Sequence, residues 1–190
     1  MGALHLTLAS ASPRRRELLA RLGLGPDAVT PADIDETPLK GELPRAYALR
    51  MGREKALAIN APGFVLAGDT VVAVGRRILP KTESETEARA CLELMSGRRH
   101  QVLSSVVLRA PDGTLRERLS ETVVRFKRLS HEEIDAYLAG GEWHGKAGGY
   151  AIQGAAEGLV EWIRGSHSGV MGLPLYETRA LLKSAGFAIG

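Results

Sequence analysis

Three short stretches of the 190-residue chain carry residue types that could do chemistry. The first is "LASASPRRRELL" (8–19), where Arg14, Arg15 and Arg16 follow Ser12 and Pro13. Ser12 is a good N-cap and Pro13 suits the first helical position, so the arginines fall in a first helical turn. Cations there oppose the helix dipole by roughly 0.3–1 kcal/mol each. Backbone N–H groups and guanidinium forks at one helix start form a phosphate site, and an anion would turn the penalty into a gain. A solvated basic face is the plainer reading of such a run.

The second stretch is "LAGDTVV" (66–72), where Asp69 interrupts two apolar pieces. A carboxylate rarely enters buried β structure without a partner. Asp69 either caps a tight turn or serves chemistry, accepting a proton from water or holding a divalent cation through oxygen. Asp35 and Glu36 are acidic residues that could join it. The third stretch, "KAGGYAIQGAA" (146–156), has small residues that let backbone approach a ligand, and Gln153 offers a donor and an acceptor suited to a nucleobase edge. It is not a dinucleotide fingerprint. The histidines show no metal-ligand spacing, and no nucleophile elbow exists for serine hydrolysis. A phosphate cradle, a carboxylate and an amide reader together suit a nucleotide.

The elements that must position these residues follow from pattern. "LHLTLA" (4–9) alternates as a strand and runs into the arginine helix, which Gly23 ends. Residues 31–40 are acidic, hold two prolines and read as an ordered loop. A helix over 44–59 places Ala46, Leu49, Ala56 and Leu57 loosely on one side. "FVLAGDTVVAVGRRIL" (64–79) reads as two strand pieces around Gly-Asp-Thr, then a turn near Gly75. Residues 83–96 form the clearest helix. "PDGT" (111–114) joins two strands as a hairpin. Ser130 and Glu133 cap a helix that Gly140 stops, and another helix closes the chain after Pro174. The stretch between them, to about 173, reads as glycine-rich and irregular. The expected class is mixed α/β (α+β) over one domain, 1–190, with much antiparallel pairing.

Composition narrows the function. The chain is 44% hydrophobic and 25% charged, with formal net charge +3 and a pI near 9.2. A mildly basic balance without a long Lys/Arg run, and only 5% aromatic residues, favours an anionic small molecule over a nucleic acid. The lone Cys91 reads as a buried thiol, so no oxidising compartment is signalled. No secretory signal or membrane-length apolar run is seen, and a cytoplasmic location is expected.

The ordered segments "SASPRRRELL", "DET", "EKA", "AGDTVV", "GRRHQVLSSVVL", "GEWHGKAGGYAIQG" and "GSHSGVMGLPL" resemble the Maf nucleoside triphosphate pyrophosphatases, from about residue 5 to 186. Within that family "KAGGYAIQG" resembles the branch acting on dTTP and UTP. The resemblance implies cleavage between the α- and β-phosphates, with Mg²⁺ or Mn²⁺, to a nucleoside monophosphate and pyrophosphate. It implies Asp69 as proton acceptor, Arg14, Thr70 and Gln153 as selectivity positions, and Ser10, Arg15, Glu36, Lys55 and Lys81 as polar pocket residues. Arg14, Arg15, Lys55 and Lys81, with Ser10, would hold phosphates, and Glu36 and Asp69 the metal. Gln153 could pair with the O4 and N3–H edge shared by uracil and thymine. The architecture implied is an elongated mixed sheet flanked by helices, like the inosine triphosphate pyrophosphatases, and often dimeric. An alternative is a non-catalytic nucleotide-sensing regulator linked to cell division. Two positions depart from the pattern: Gly145 stands where the family usually has Asp, and "PKT" (80–82) where it tends to have Gly-Lys-Pro.

Overall fold

A computed structural model describes residues 4–189; residues 1–3 and 190 of the expected domain lie outside the described residues. Strand β1 (Leu6–Leu8) leads through Ser12 into helix α1 (Pro13–Ala20), and the Ser12 hydroxyl accepts the Arg15 N–H as the cap predicts. Strand β2 (Ala28–Val29) and a long loop precede helix α2 (Pro44–Ala58). Strands β3 (Phe64–Val74) and β4 (Arg77–Leu79) form a tight hairpin, followed by helix α3 (Glu85–Met95) with a complete Ser84/Glu87 capping box. Strands β5 (Arg99–Arg109) and β6 (Leu115–Phe126) are the long hairpin around "PDGT". Helix α4 (His131–Ala139) carries the predicted Ser130/Glu133 box. A 3₁₀ turn (Ala155–Leu159), strand β7 (Val160–Arg164), helix α5 (His167–Met171) and helix α6 (Leu175–Ser184) complete the chain.

The seven strands make one mixed sheet in the order β2-β1-β3-β5-β6-β7, with β4 beside β3. The crossovers through α1 and α2 make β1 parallel to β2 and β3; every later pairing is antiparallel. One face, including Leu6, Leu66, Val102 and Val106, packs against the main core of α1, α3, α4 and α6. The other face, with Val65, Ala67, Val71, Ala73, Leu103 and Val107, packs on α2. The central strands are therefore buried on both sides, as their nearly continuous apolar composition requires.

Three expectations are corrected here. β3 runs unbroken through Gly-Asp-Thr, so Asp69 caps no turn. Its register places it directly opposite Ser105 of β5. The buried side of α2 is Pro44, Tyr47, Ala48, Met51, Gly52, Lys55 and Ala56, a regular helical stripe, while Ala46 and Leu57 face solvent. A glycine and a lysine inside the stripe disguised its period. The stretch read as irregular up to 173 contains β7 and α5, both only five residues long and so too short to show a repeat.

Candidate active site

The pleat of β3 turns Val65, Ala67, Asp69, Val71 and Ala73 toward α2. Opposite Asp69 that helix presents Lys55, and the two buried groups pair at 2.7 Å, Nζ to Oδ1. Lys55 also pairs with Glu36 Oε1 at 2.8 Å, and Lys81 holds the other oxygen of Glu36. Burial pushes the Glu36 carboxyl up, but hydrogen bonds and charge from Lys55 and Lys81 outweigh it and hold the group below the usual carboxylate range. The chain of groups is Asp69–Lys55–Glu36–Lys81, and among the described residues the second oxygen of Asp69 accepts no hydrogen bond.

A second network fixes Arg15. Its guanidinium donates to the Gly172 carbonyl at 2.8 Å, to Ser10 Oγ at 3.1 Å and to Thr70 Oγ1 at 3.4 Å. Ser104 on β5 ties Thr70 and the Gly169 carbonyl of α5 together at 3.2 and 2.6 Å. Burial lowers the Arg15 pKa, and the charges of Asp69 and Glu36 act against that. Arg14 makes no hydrogen bond or ion pair among the described residues, and burial lowers its pKa as well.

Apart from Ser104 and Gly169, these groups line one cleft of about 430 Å³. Ser10, Arg14, Arg15, Glu36, Lys55, Asp69, Thr70, Lys81 and Gln153 are brought together there from positions spread over most of the chain. Gln153 is exposed on the wall, and its amide makes no hydrogen bond among the described residues. Asp35 does not join the cleft; it accepts the Thr37 N–H at 2.8 Å in a local turn. Lys81 is presented by a loop zipped to the glycine-rich segment, with the Thr82 N–H donating to Lys146 O and the Gly148 N–H to Pro80 O.

Sequence reasoning missed several parts of the site. Gly172 and Met171, at the end of α5, lie some 100 residues from Thr70 and gave no local signal. Ser105 was equally hidden: its hydroxyl accepts the Asp69 N–H at 3.1 Å, which steadies the carboxylate-bearing residue. Lys146 sat within a noted glycine-rich stretch, but without an assigned role. Among the described residues no three His, Cys, Asp or Glu come together as a metal cage. Mg²⁺ and Mn²⁺ do not need one, since one or two carboxylates with phosphate oxygens and water suffice. The free oxygen of Asp69 fits that chemistry; Glu36 would first have to release a lysine.

The chain matches the family described as Maf-like protein over residues 5–185. It is 67% identical to the dTTP/UTP pyrophosphatase of Novosphingobium aromaticivorans, over 97% of this chain and 94% of that one. Identity to the dTTP/UTP pyrophosphatase of Rhodospirillum rubrum is 60%, over 97% and 90%. A solved HAM1 protein from Coxiella burnetii is similar with TM-score 0.49 and 16% identity, over 96% of this chain and 98% of that one. The family match begins in the residue before β1 and ends just after α6, so it takes in every strand and helix around the cleft: the chain belongs to the Maf family.

Proposed function

We propose that this chain is a nucleoside triphosphate pyrophosphatase that hydrolyses dTTP and UTP to the nucleoside monophosphate and pyrophosphate. The observation that carries the reading is Asp69: a buried carboxylate with one oxygen held by Lys55 and the other free toward a cleft rich in cations. The relatives at 60–67% identity that bear the name dTTP/UTP pyrophosphatase support the same substrates.

In the mechanism, Lys55 orients Asp69 so that its free oxygen takes a proton from water. The water oxygen bonds to the α-phosphorus as the bond from that phosphorus to the bridging oxygen breaks, and the electron pair leaves with pyrophosphate. Arg15, held rigidly by Ser10, Thr70 and Gly172, is already aimed when charge develops, and Lys55, Lys81 and Arg14 add positive charge to the same cleft. Asp69, with Glu36, would hold Mg²⁺ or Mn²⁺, which when bound neutralises phosphate charge and polarises the phosphoryl group. Gln153 reads the O4 and N3–H edge of uracil or thymine, and Thr70 and Arg14 complete selectivity.

The test is pyrophosphate release from dTTP, UTP, CTP, GTP and N7-methyl-GTP, with Mg²⁺ or Mn²⁺ and with chelator. Cleavage of dTTP and UTP that needs metal is expected, with Asp69→Asn slower by about 10²–10⁴-fold. Turnover of CTP equal to that of UTP would remove the role of Gln153. Full activity in Asp69→Asn would remove Asp69 as the proton acceptor.

A further inference from the structure

Nothing in the side chain of Gln153 fixes where it stands, since its amide makes no hydrogen bond among the described residues. Its place is set by the backbone of the turn that carries it, which the Gly154 N–H closes on the Ala151 carbonyl at 3.0 Å. That turn is pinned on both sides of Gln153. The Ala151 N–H donates to the Tyr137 hydroxyl of α4 at 3.2 Å, and the Ala155 N–H donates to Glu142 Oε2 at 2.9 Å. Glu142 follows closely on the end of α4, on a firm base: the Gly141 N–H and the Trp143 indole N–H both donate to the Leu138 carbonyl, at 3.0 and 2.8 Å.

The 3₁₀ turn that starts at Ala155 has Gly154 at its N-cap position, so it has no capping side chain of its own. Glu142 supplies the missing acceptor from elsewhere in the chain, with the sign of charge that a helix start favours. The backbone of Gly154, φ −116° and ψ −150°, is extended and open to any residue, so conformation does not call for glycine. Space does. A Cβ there would stand 2.0 Å from Glu142 Oε2 and 2.7 Å from its Cδ, and would drive the carboxylate off the Ala155 N–H. The hydrogen bond and the room left for it are two observations of one built contact.

We infer that Glu142 is a positioning residue for base selection: seated over Gly154, it holds the turn that aims Gln153 into the cleft. The inference rests on the reading of Gln153 as the group that pairs with uracil or thymine, and deepens it. Uracil and cytosine differ at the edge that a side-chain amide would pair with, so discrimination between them depends on that amide being held in place. A loosened turn must be ordered anew at each binding event, which weakens the pairing that distinguishes the two bases. The base carries no reacting atom, so the loss falls on binding of UTP rather than on the chemical step. Glu142 is exposed and lines no part of the cleft, so its effect on selectivity passes through the turn.

The experiment measures kcat and KM for UTP and CTP in the wild type, Glu142→Ala, Glu142→Gln, Gly154→Ala and the double variant Glu142→Ala/Gly154→Ala. Glu142→Ala should lower the UTP-to-CTP ratio of kcat/KM by about three- to tenfold, the range for one hydrogen bond, through a higher KM for UTP with kcat little changed. Gly154→Ala should lower the ratio alike, and the double variant no further, because the clash disappears with the carboxylate. Glu142→Gln keeps an acceptor oxygen without the charge, which also reaches Lys146, and should restore the wild-type ratio. Amide exchange over residues 151–157 reads the anchor without turnover, and should quicken in Glu142→Ala and Gly154→Ala. A ratio unmoved in both single alanine variants, or a Gly154→Ala effect that adds in full to that of Glu142→Ala, would overturn the anchor. Equal losses on UTP and CTP would do the same, since they would mark a merely structural role. A ratio that Gln153→Ala leaves unchanged would instead overturn the base reading, and the anchor with it.

Discussion

Lys55 occupies a position where most side chains of its type could not stay, buried on the inner face of α2. It does so because Asp69 and Glu36 approach at 2.7 and 2.8 Å. Removing one partner of a buried pair leaves an uncompensated charge, at a cost of about 3–5 kcal/mol. Lys55→Met should therefore unfold at markedly lower denaturant than wild type, as well as lose activity. A melting curve superimposable on wild type would mean that the pair is not the internal support of the site. This residue also shows how far sequence reading went. Asp69 was visible because a carboxylate between apolar strand residues is anomalous. Lys55 drew attention only through a family motif, since a lysine on a helix ordinarily faces water.

At the scale of elements, the contact that sets the depth of the site is that of α2 against β5. A Cβ at Gly52 would stand 2.6 Å from Ser105 Oγ, 3.0 Å from Val107 Cγ2 and 3.2 Å from Ser105 Cβ. Gly52 thus lets the helix approach closely enough for Lys55, three residues on, to reach Asp69. Gly52→Ala should destabilise by about 1–3 kcal/mol, as overpacking does. At this chain length that lowers Tm by about 2–4 °C per kcal/mol. Ser105→Ala removes the atom in closest conflict but also the acceptor for the Asp69 N–H. The double variant should melt above the value expected from summing the two single losses, because the residues share one contact. Strict additivity would show that the clash is relieved elsewhere. The pattern of α2 in sequence pointed to the wrong face because Leu49 and Leu57 suggested an apolar side, whereas the packed stripe holds Gly52 and Lys55.

At the scale of the whole molecule, His100 couples stability to pH. It is buried between Phe126 and Tyr150, with Nε2 2.8 Å from the Tyr150 hydroxyl and Nδ1 without a partner. Burial pushes its pKa down to about 4, from an unfolded value near 6.5. Above pH 6.5 the imidazole is neutral in both states and adds no slope. Below it the unfolded chain takes a proton that the folded chain refuses, so stability falls as pH drops from about 6.5 toward 4, by up to about 3 kcal/mol. Urea midpoints across that range should decline more steeply for wild type than for His100→Gln; equal slopes would refute the assignment. Because Tyr150 lines the cleft, the same loss would loosen its floor. No helix among the described residues is long and apolar enough to cross a membrane.

The sequence by itself determined what is local or periodic. The Ser12 and Ser130 caps, the "PDGT" hairpin and the long helix α3 all rest on contacts within a few residues. The mixed α/β class followed from them, and the family was carried by ordered motifs. Only the tertiary structure decided that β3 passes unbroken through Asp69, since that depends on an ammonium arriving from α2 fourteen residues earlier. It alone placed Gly172 against Arg15 across 157 residues and brought Lys146 into the same cleft. Burial and charge balance belong to groups that meet in space, and no window of sequence contains both partners.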